Sequence, residues 1–258
     1  MFARATLILC LLLFTAQAHA GPEIQTWETD NGARVMFVEA PAIPMLDVRV
    51  VFNAGSARDG KLPGLALMTN MLLNDGAADL TADQLAEGFE SLGAQFGTSS
   101  LRDMAILTLR TLSEDEVRQQ SLALLGKVLK SPTFPADEIE RRRLQMRVGL
   151  EKQAESPSAT AKNHFFEALF NDHPYAHNPA GDEKSIEAMT RDDIVAFYNR
   201  YYVAANAVIA IVGAVDRKQA ETIAEELTRD MPAGEKPSPL PEVQTSGKGS
   251  ELAVNFPS

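Results

Sequence analysis

Apolar and polar residues alternate first along two short runs, Ile24–Thr29 and Arg34–Val38, with Asp30-Asn31-Gly32 between them. An Asn-Gly pair between extended runs is a hairpin signal, because both turn positions favour a left-handed backbone. A third run, Met45–Phe52, puts Leu46, Val48, Val50 and Phe52 on one face and Asp47, Arg49 and Val51 on the other, the pattern of a half-buried strand ended by Gly55. Gly64–Leu73 is apolar nearly all round and rich in helix formers, which predicts a buried helix. Thr81-Ala82-Asp83-Gln84 has the form of a capping box opening a helix that stops near Gly93. Strands follow at Ala94–Ser99 and Met104–Leu112.

The second half is mainly helical. Ser113-Glu114-Asp115-Glu116 suggests a second capping box, opening a helix to about Lys130 with Leu122, Leu125, Val128 and Leu129 inward. Helices are expected at Asp137–Gln153, Ala159–Phe170, Thr190–Tyr202 (capped by Thr190 with Asp193) and Arg217–Arg229, and a loop at His173–Gly181. The run Arg141-Arg142-Arg143 reads as a solvated helix face rather than a contact for an acidic partner. Ala207–Val212 is a continuous apolar strand, expected to be buried on both faces. The fold class is therefore α+β, with a mostly antiparallel sheet packed against helices. Pro232, Pro237, Pro239 and Pro241, among Gly and Ser, mark a linker, and Leu252–Phe256 has the pattern of another strand.

Composition narrows the function classes. The chain of 258 residues carries 24 Lys+Arg against 35 Asp+Glu, a net charge of −11, so no broad basic face points to nucleic acid. Met1-Phe2-Ala3-Arg4, the apolar run Ala5–Ala16 and Ala18-His19-Ala20 form a secretory leader pattern, too short to span a bilayer. Residues 1–20 are thus expected to be a signal peptide, giving a secreted or periplasmic protein with no membrane span after cleavage. Cleavage would remove Cys10, the one cysteine, and with it any disulfide or thiolate chemistry. His164, His173 and His177 remain, but Pro174 interrupts any helix that would put the last two on one face, so they read as loop histidines rather than a zinc site. There is no Gly-x-Ser-x-Gly elbow and no Gly-rich phosphate loop.

Several strings, in order, resemble the N-terminal half of the insulinase/pitrilysin peptidases, the family of the mitochondrial processing peptidase. They are Asn31-Gly32 with Arg34-Val35, Gly55-Ser56-Ala57-Arg58-Asp59, Pro63-Gly64-Leu65-Ala66, Leu92-Gly93-Ala94, His173-Pro174-Tyr175-Ala176-His177, and Tyr201-Tyr202 before Asn206 and Val212-Gly213. The resemblance implies an insulinase-like domain over residues 21–230, a linker over 231–250, and at 251–258 the truncated start of a second, similar domain. Active members carry His-x-x-Glu-His after Gly-Leu-Ala: two imidazoles one turn apart hold Zn²⁺, and the Glu takes a proton from the bound water. The matching residues here are Leu67, Asn70 and Met71. The third ligand position falls at Val148 or Gly149, with Glu151 nearby but out of step. On this resemblance no catalytic or metal-binding residue is expected and no cofactor is predicted, with zinc required only if ligands lie elsewhere.

The family also binds peptide by adding a strand to a sheet edge, a role that would fall on Gln95, Phe96, Gly97 and Thr98. The implied function is a non-catalytic exported subunit that pairs with a zinc-bearing insulinase-like chain and helps enclose a peptide substrate. The alternatives are an active metalloendopeptidase with unusual ligands and a structural scaffold.

Overall fold

The computed structural model describes residues 22–244 and positions 249, 251, 253 and 256. The leader expected at 1–20 lies outside the described residues, as do three of the five positions of the strand expected at 252–256. The strands are β1 (Gln25–Glu28), β2 (Arg34–Glu39), β3 (Met45–Phe52), β4 (Gly76–Ala77), β5 (Leu80–Thr81), β6 (Gln95–Ser100), β7 (Ala105–Leu112) and β8 (Ala207–Gly213). The helices are α1 (Leu65–Leu72), α2 (Ala82–Ser91), α3 (Asp115–Lys130), α4 (Ala136–Ala154), α5 (Pro157–Phe170), α6 (Glu183–Ala188), α7 (Arg191–Tyr201) and α8 (Arg217–Thr228).

Six strands form one sheet in the order β1-β2-β8-β3-β7-β6, and all pairings are antiparallel except β2 with β8. The class is α+β. Alternation decides which face is covered. Leu46, Val48, Val50 and Phe52 of β3 are buried, as are Leu107 and Leu109 of β7 and Ile209 and Ile211 of β8, and they join helix residues such as Met68, Leu72, Leu125 and Ile223 in one core. Each such side chain contributes about 1.5–3 kcal/mol on leaving water. The intervening residues, among them Asp47, Arg49, Thr108, Arg110 and Val212, face an open trough of about 670 Å³.

Three sequence expectations need correction. The strand Ala207–Val212 is not buried on both faces: Ile209 and Ile211 are inaccessible but Val212 is 39% exposed, because the helices among the described residues cover only one side of the sheet. Ser113 does not cap α3; the first helical residue is Asp115, its N-cap Glu114 makes no side-chain cap bond, and Ser113 instead accepts Arg118 Nη1 on its carbonyl at 2.7 Å. The triple arginine on α4 is not a solvated face: Arg141 and Arg142 bind the buried Asp75, and Arg143 binds the carbonyls of Ile186 and Met189. The capping boxes at Thr81/Gln84 and Thr190/Asp193 are present, and further ones open α6 (Asp182/Ser185) and α8 (Asp216/Gln219).

Candidate functional site

Helix α1 is fixed at both ends by buried carboxylates. At its start the inaccessible Asp59 accepts the Gly64 N–H on Oδ2 and the Ala66 N–H on Oδ1, both at 2.7 Å. These are N–H groups that a helix start leaves without partners. His177 Nε2 lies 3.1 Å from the same Oδ2, which ties the 173–181 loop to the helix. Burial raises the Asp59 carboxyl above its ordinary range, against the lowering effect of His177 and the two backbone N–H groups. Gly64 sits at φ +93°, and a Cβ there would lie 3.1 Å from Ala180 O and Met146 Cε, so glycine allows loop and α4 to close on the helix start.

Beyond its C-terminal end, Asp75, whose side chain is 2% exposed, accepts Arg142 Nε at 2.6 Å and Nη2 at 2.7 Å, and Arg141 Nη2 at 2.8 Å. Arg143 turns the other way, to the carbonyls of Ile186 and Met189. The arginine run is therefore a set of internal clamps between α4, the end of α1 and α6.

Between these anchors α1 lies against β6, α4 and α7. Leu67 and Met71, one turn apart, are half-buried and pack on the core. Asn70 is only 1% exposed and lies against the fully buried Tyr202, yet neither Asn70 Nδ2 nor Tyr202 Oη reaches a well-aligned partner. Burial pushes the Tyr202 phenol well above its ordinary pKa. Asn74, one turn after Asn70, donates from Nδ2 to Thr98 Oγ1 of β6 at 2.8 Å and to Met71 O at 3.1 Å.

Strand β6 is a sheet edge, so one side of its backbone has no strand partner among the described residues. Such an edge can take an added strand through main-chain hydrogen bonds. Phe96 stacks on Phe89 at 4.6 Å, Thr98 points toward α1, and Gln95 and Gly97 line the open trough. Gly97 O accepts Thr108 Oγ1 at 3.2 Å.

The donor set around α1 does not fit Zn²⁺, which takes Cys sulfur, His nitrogen or carboxylate oxygen. Leu67 has no donor atom, Met71 offers a soft thioether, and the Asn70 amide is turned into the core. Glu151 is exposed on α4, and a Cβ at Gly149 would meet open space. The three histidines part company: His164 Nδ1 bonds Glu167, His173 Nε2 bonds Pro241 O, and His177 bonds Asp59. Among the described residues no group of three His, Cys, Asp or Glu side chains is placed to hold a metal ion.

The sequence profile of Insulinase (Peptidase family M16) matches residues 34–183, and that of the Peptidase M16 inactive domain matches residues 188–256. The chain belongs to the insulinase family, peptidase family M16. A structure described as the peptidase M16 inactive domain from Pseudomonas fluorescens is 42% identical, with a TM-score of 0.85 over 86% of this chain and 54% of that one. An uncharacterized zinc protease of Rickettsia bellii is 25% identical over 80% of this chain and 50% of its own length. The non-peptidase homolog YmxG of Helicobacter pylori is 26% identical over 85% of this chain and 50% of its own. The chain thus spans about half the length of the relatives it matches. No helix among the described residues is long and apolar enough to cross a membrane.

Sequence reasoning singled out Leu67, Asn70, Met71 and Thr98, which the fold brings to the α1–β6 region. It missed Asp59, Asp75 and Asn74, the residues that set the position of α1. One signal was available: three consecutive arginines at helical spacing cannot all face solvent when Ile139 and Met146 on the same helix face inward.

Proposed function

We propose that this chain is an exported, non-catalytic member of the insulinase family that pairs with a zinc-bearing chain of the same family and helps to enclose its peptide substrate. The carrying observation is the side-chain chemistry of α1. Leu67, Asn70 and Met71 stand where the family motif has His, Glu and His, and Leu67 and Met71 contribute packing rather than donor atoms. The match to an M16 inactive domain, the 42% identical structure of that description and the likeness to a non-peptidase homolog support the same reading. No catalytic step is assigned to this chain.

The peptide contribution rests on β6. Gln95, Phe96, Gly97 and Thr98 lie on a sheet edge beside α1, and an extended substrate would add to that edge by backbone bonds with little demand on its sequence. Export rests on the leader at 1–20. The division into a domain at 21–230, a linker at 231–250 and the start of a second domain at 251–258 belongs to the same reading.

The test is a mixing experiment with a zinc-bearing insulinase-family chain from the same source. Peptide cleavage by that chain is expected to rise when this protein is added. Association without any change in cleavage would instead support a structural scaffold, and no association would contradict the pairing.

A further inference from the structure

A second cleft, of about 560 Å³, lies away from α1, where the start of β2 and the end of β3 meet the start of β8 and the proline-rich segment after α8. That segment is docked rather than free. The N–H groups of Ala204 and Ala205 donate to Pro232 O and Ala233 O, both at 2.9 Å. Arg58 Nη1 donates to Ser238 O and His173 Nε2 to Pro241 O, again at 2.9 Å. Gly234 has φ +60°, and a Cβ there would lie 2.5 Å from Val203 Cβ, so this seat demands glycine.

The charge in this cleft runs against that of the whole chain. With a net charge of −11 overall, the charged groups lining it are Arg34, Arg58 and Lys236 against Asp103 alone. Asp103 is already engaged by the Tyr175 hydroxyl. The ion pairs among the described residues are made by other cations, so the lining keeps an excess of two positive charges, three cations against the one carboxylate of Asp103. Arg58 is held in place by Asn53 Oδ1, which accepts its Nε at 3.1 Å. The cations sit on three separate segments, and Pro237, Pro239 and Leu240 supply an apolar wall between them. A small anion would gain nothing from that wall.

We propose that this cleft binds an extended acidic peptide segment. Its carboxylates pair with Arg34, Arg58 and Lys236, and its apolar side chains rest on Pro237, Pro239 and Leu240. This site is separate from the β6 edge, and it stands whether or not the chain assists a peptidase.

The experiment titrates the full chain with a labelled peptide of alternating Glu and Leu, its Gln/Leu counterpart, and inorganic phosphate, while methyl NMR reports position. The Glu peptide is expected to bind, more weakly as salt rises from about 0.02 M to about 0.2 M because screening shortens the reach of exposed charge. Arg34→Gln and Lys236→Gln, both at exposed positions, are each expected to weaken binding about twofold to fivefold. Shifts should centre on Val51, Val208 and Leu240. Equal binding of the Gln peptide, equal affinity in both variants, competition by phosphate at matched concentration, or shifts centred on Leu67 and Met71 would each overturn the proposal.

Discussion

Asn74, two residues past the end of α1, donates to Thr98 Oγ1 on β6 at 2.8 Å, joining the helix that holds Leu67, Asn70 and Met71 to the strand that forms the sheet edge. Asn74 also holds Met71 O, so the same amide closes the end of the helix. One side chain thereby ties the end of α1 to the β6 edge.

Replacing that amide gives a first prediction. Asn74→Ala is expected to cost about 1 kcal/mol, the ordinary net value of one partly buried hydrogen bond. The loss should be local: amide exchange should quicken in β6 while β3 and β8 keep their protection. Uniform acceleration across the sheet would contradict a role confined to α1 and β6.

The clamp beyond α1 predicts a larger effect. Arg142→Ala leaves the buried Asp75 carboxylate short of its two closest donor contacts, and breaking a buried pair from one side costs about 3–5 kcal/mol. Arg141→Ala, at a side chain 44% exposed, should cost under about 1 kcal/mol. Pairing Asp75→Leu with Arg142→Met should recover most of the loss, since no unpaired charge stays buried. Urea unfolding of the three variants decides the matter.

Asp59 makes stability depend on pH. Burial raises its pKa in the folded chain, so the native state holds this proton more tightly than the unfolded chain does. Its stabilising contribution is complete below the unfolded value of about 3.9 and is lost as pH rises through the folded value. Unfolding free energies of the wild type and Asp59→Asn, measured across the acid range, should therefore differ in slope, the wild type losing ground as pH rises. Parallel curves would contradict the shift.

Much of the fold is legible in the sequence. The alternation in Met45–Phe52 named the buried face of β3 correctly, and Thr81 with Gln84 marked the start of α2. Both signals are local: side-chain period and capping act within a few residues. The misreadings arose where a distant residue decides the outcome. Nothing near Arg141–Arg143 announces Asp75, 66 residues earlier, whose burial draws two of the three arginines inward. An apolar run such as Ala207–Val212 likewise does not say whether a second layer covers the sheet. At the candidate site, the lack of zinc-donor groups on Leu67 and Met71 follows from residue type alone, whereas the Asp59 and Asn74 contacts depend on partners distant in the chain.

The docked segment after α8 gives a further prediction. Gly234→Ala adds a Cβ where Val203 leaves no room, at a backbone angle that alanine resists. Residues 232–241 should then leave their seat and be cut readily by a nonspecific protease, while the body of the domain resists. Unchanged cleavage would show that the seat does not depend on this close approach.

The zinc content of the purified full chain, measured by elemental analysis after exposure to excess Zn²⁺ and gel filtration, bears most directly on the α1 chemistry. The expected value is well below one ion per chain, with peptide cleavage by this chain alone undetectable. One tightly held ion per chain, removed by a chelator together with peptidase activity, would contradict the non-catalytic reading.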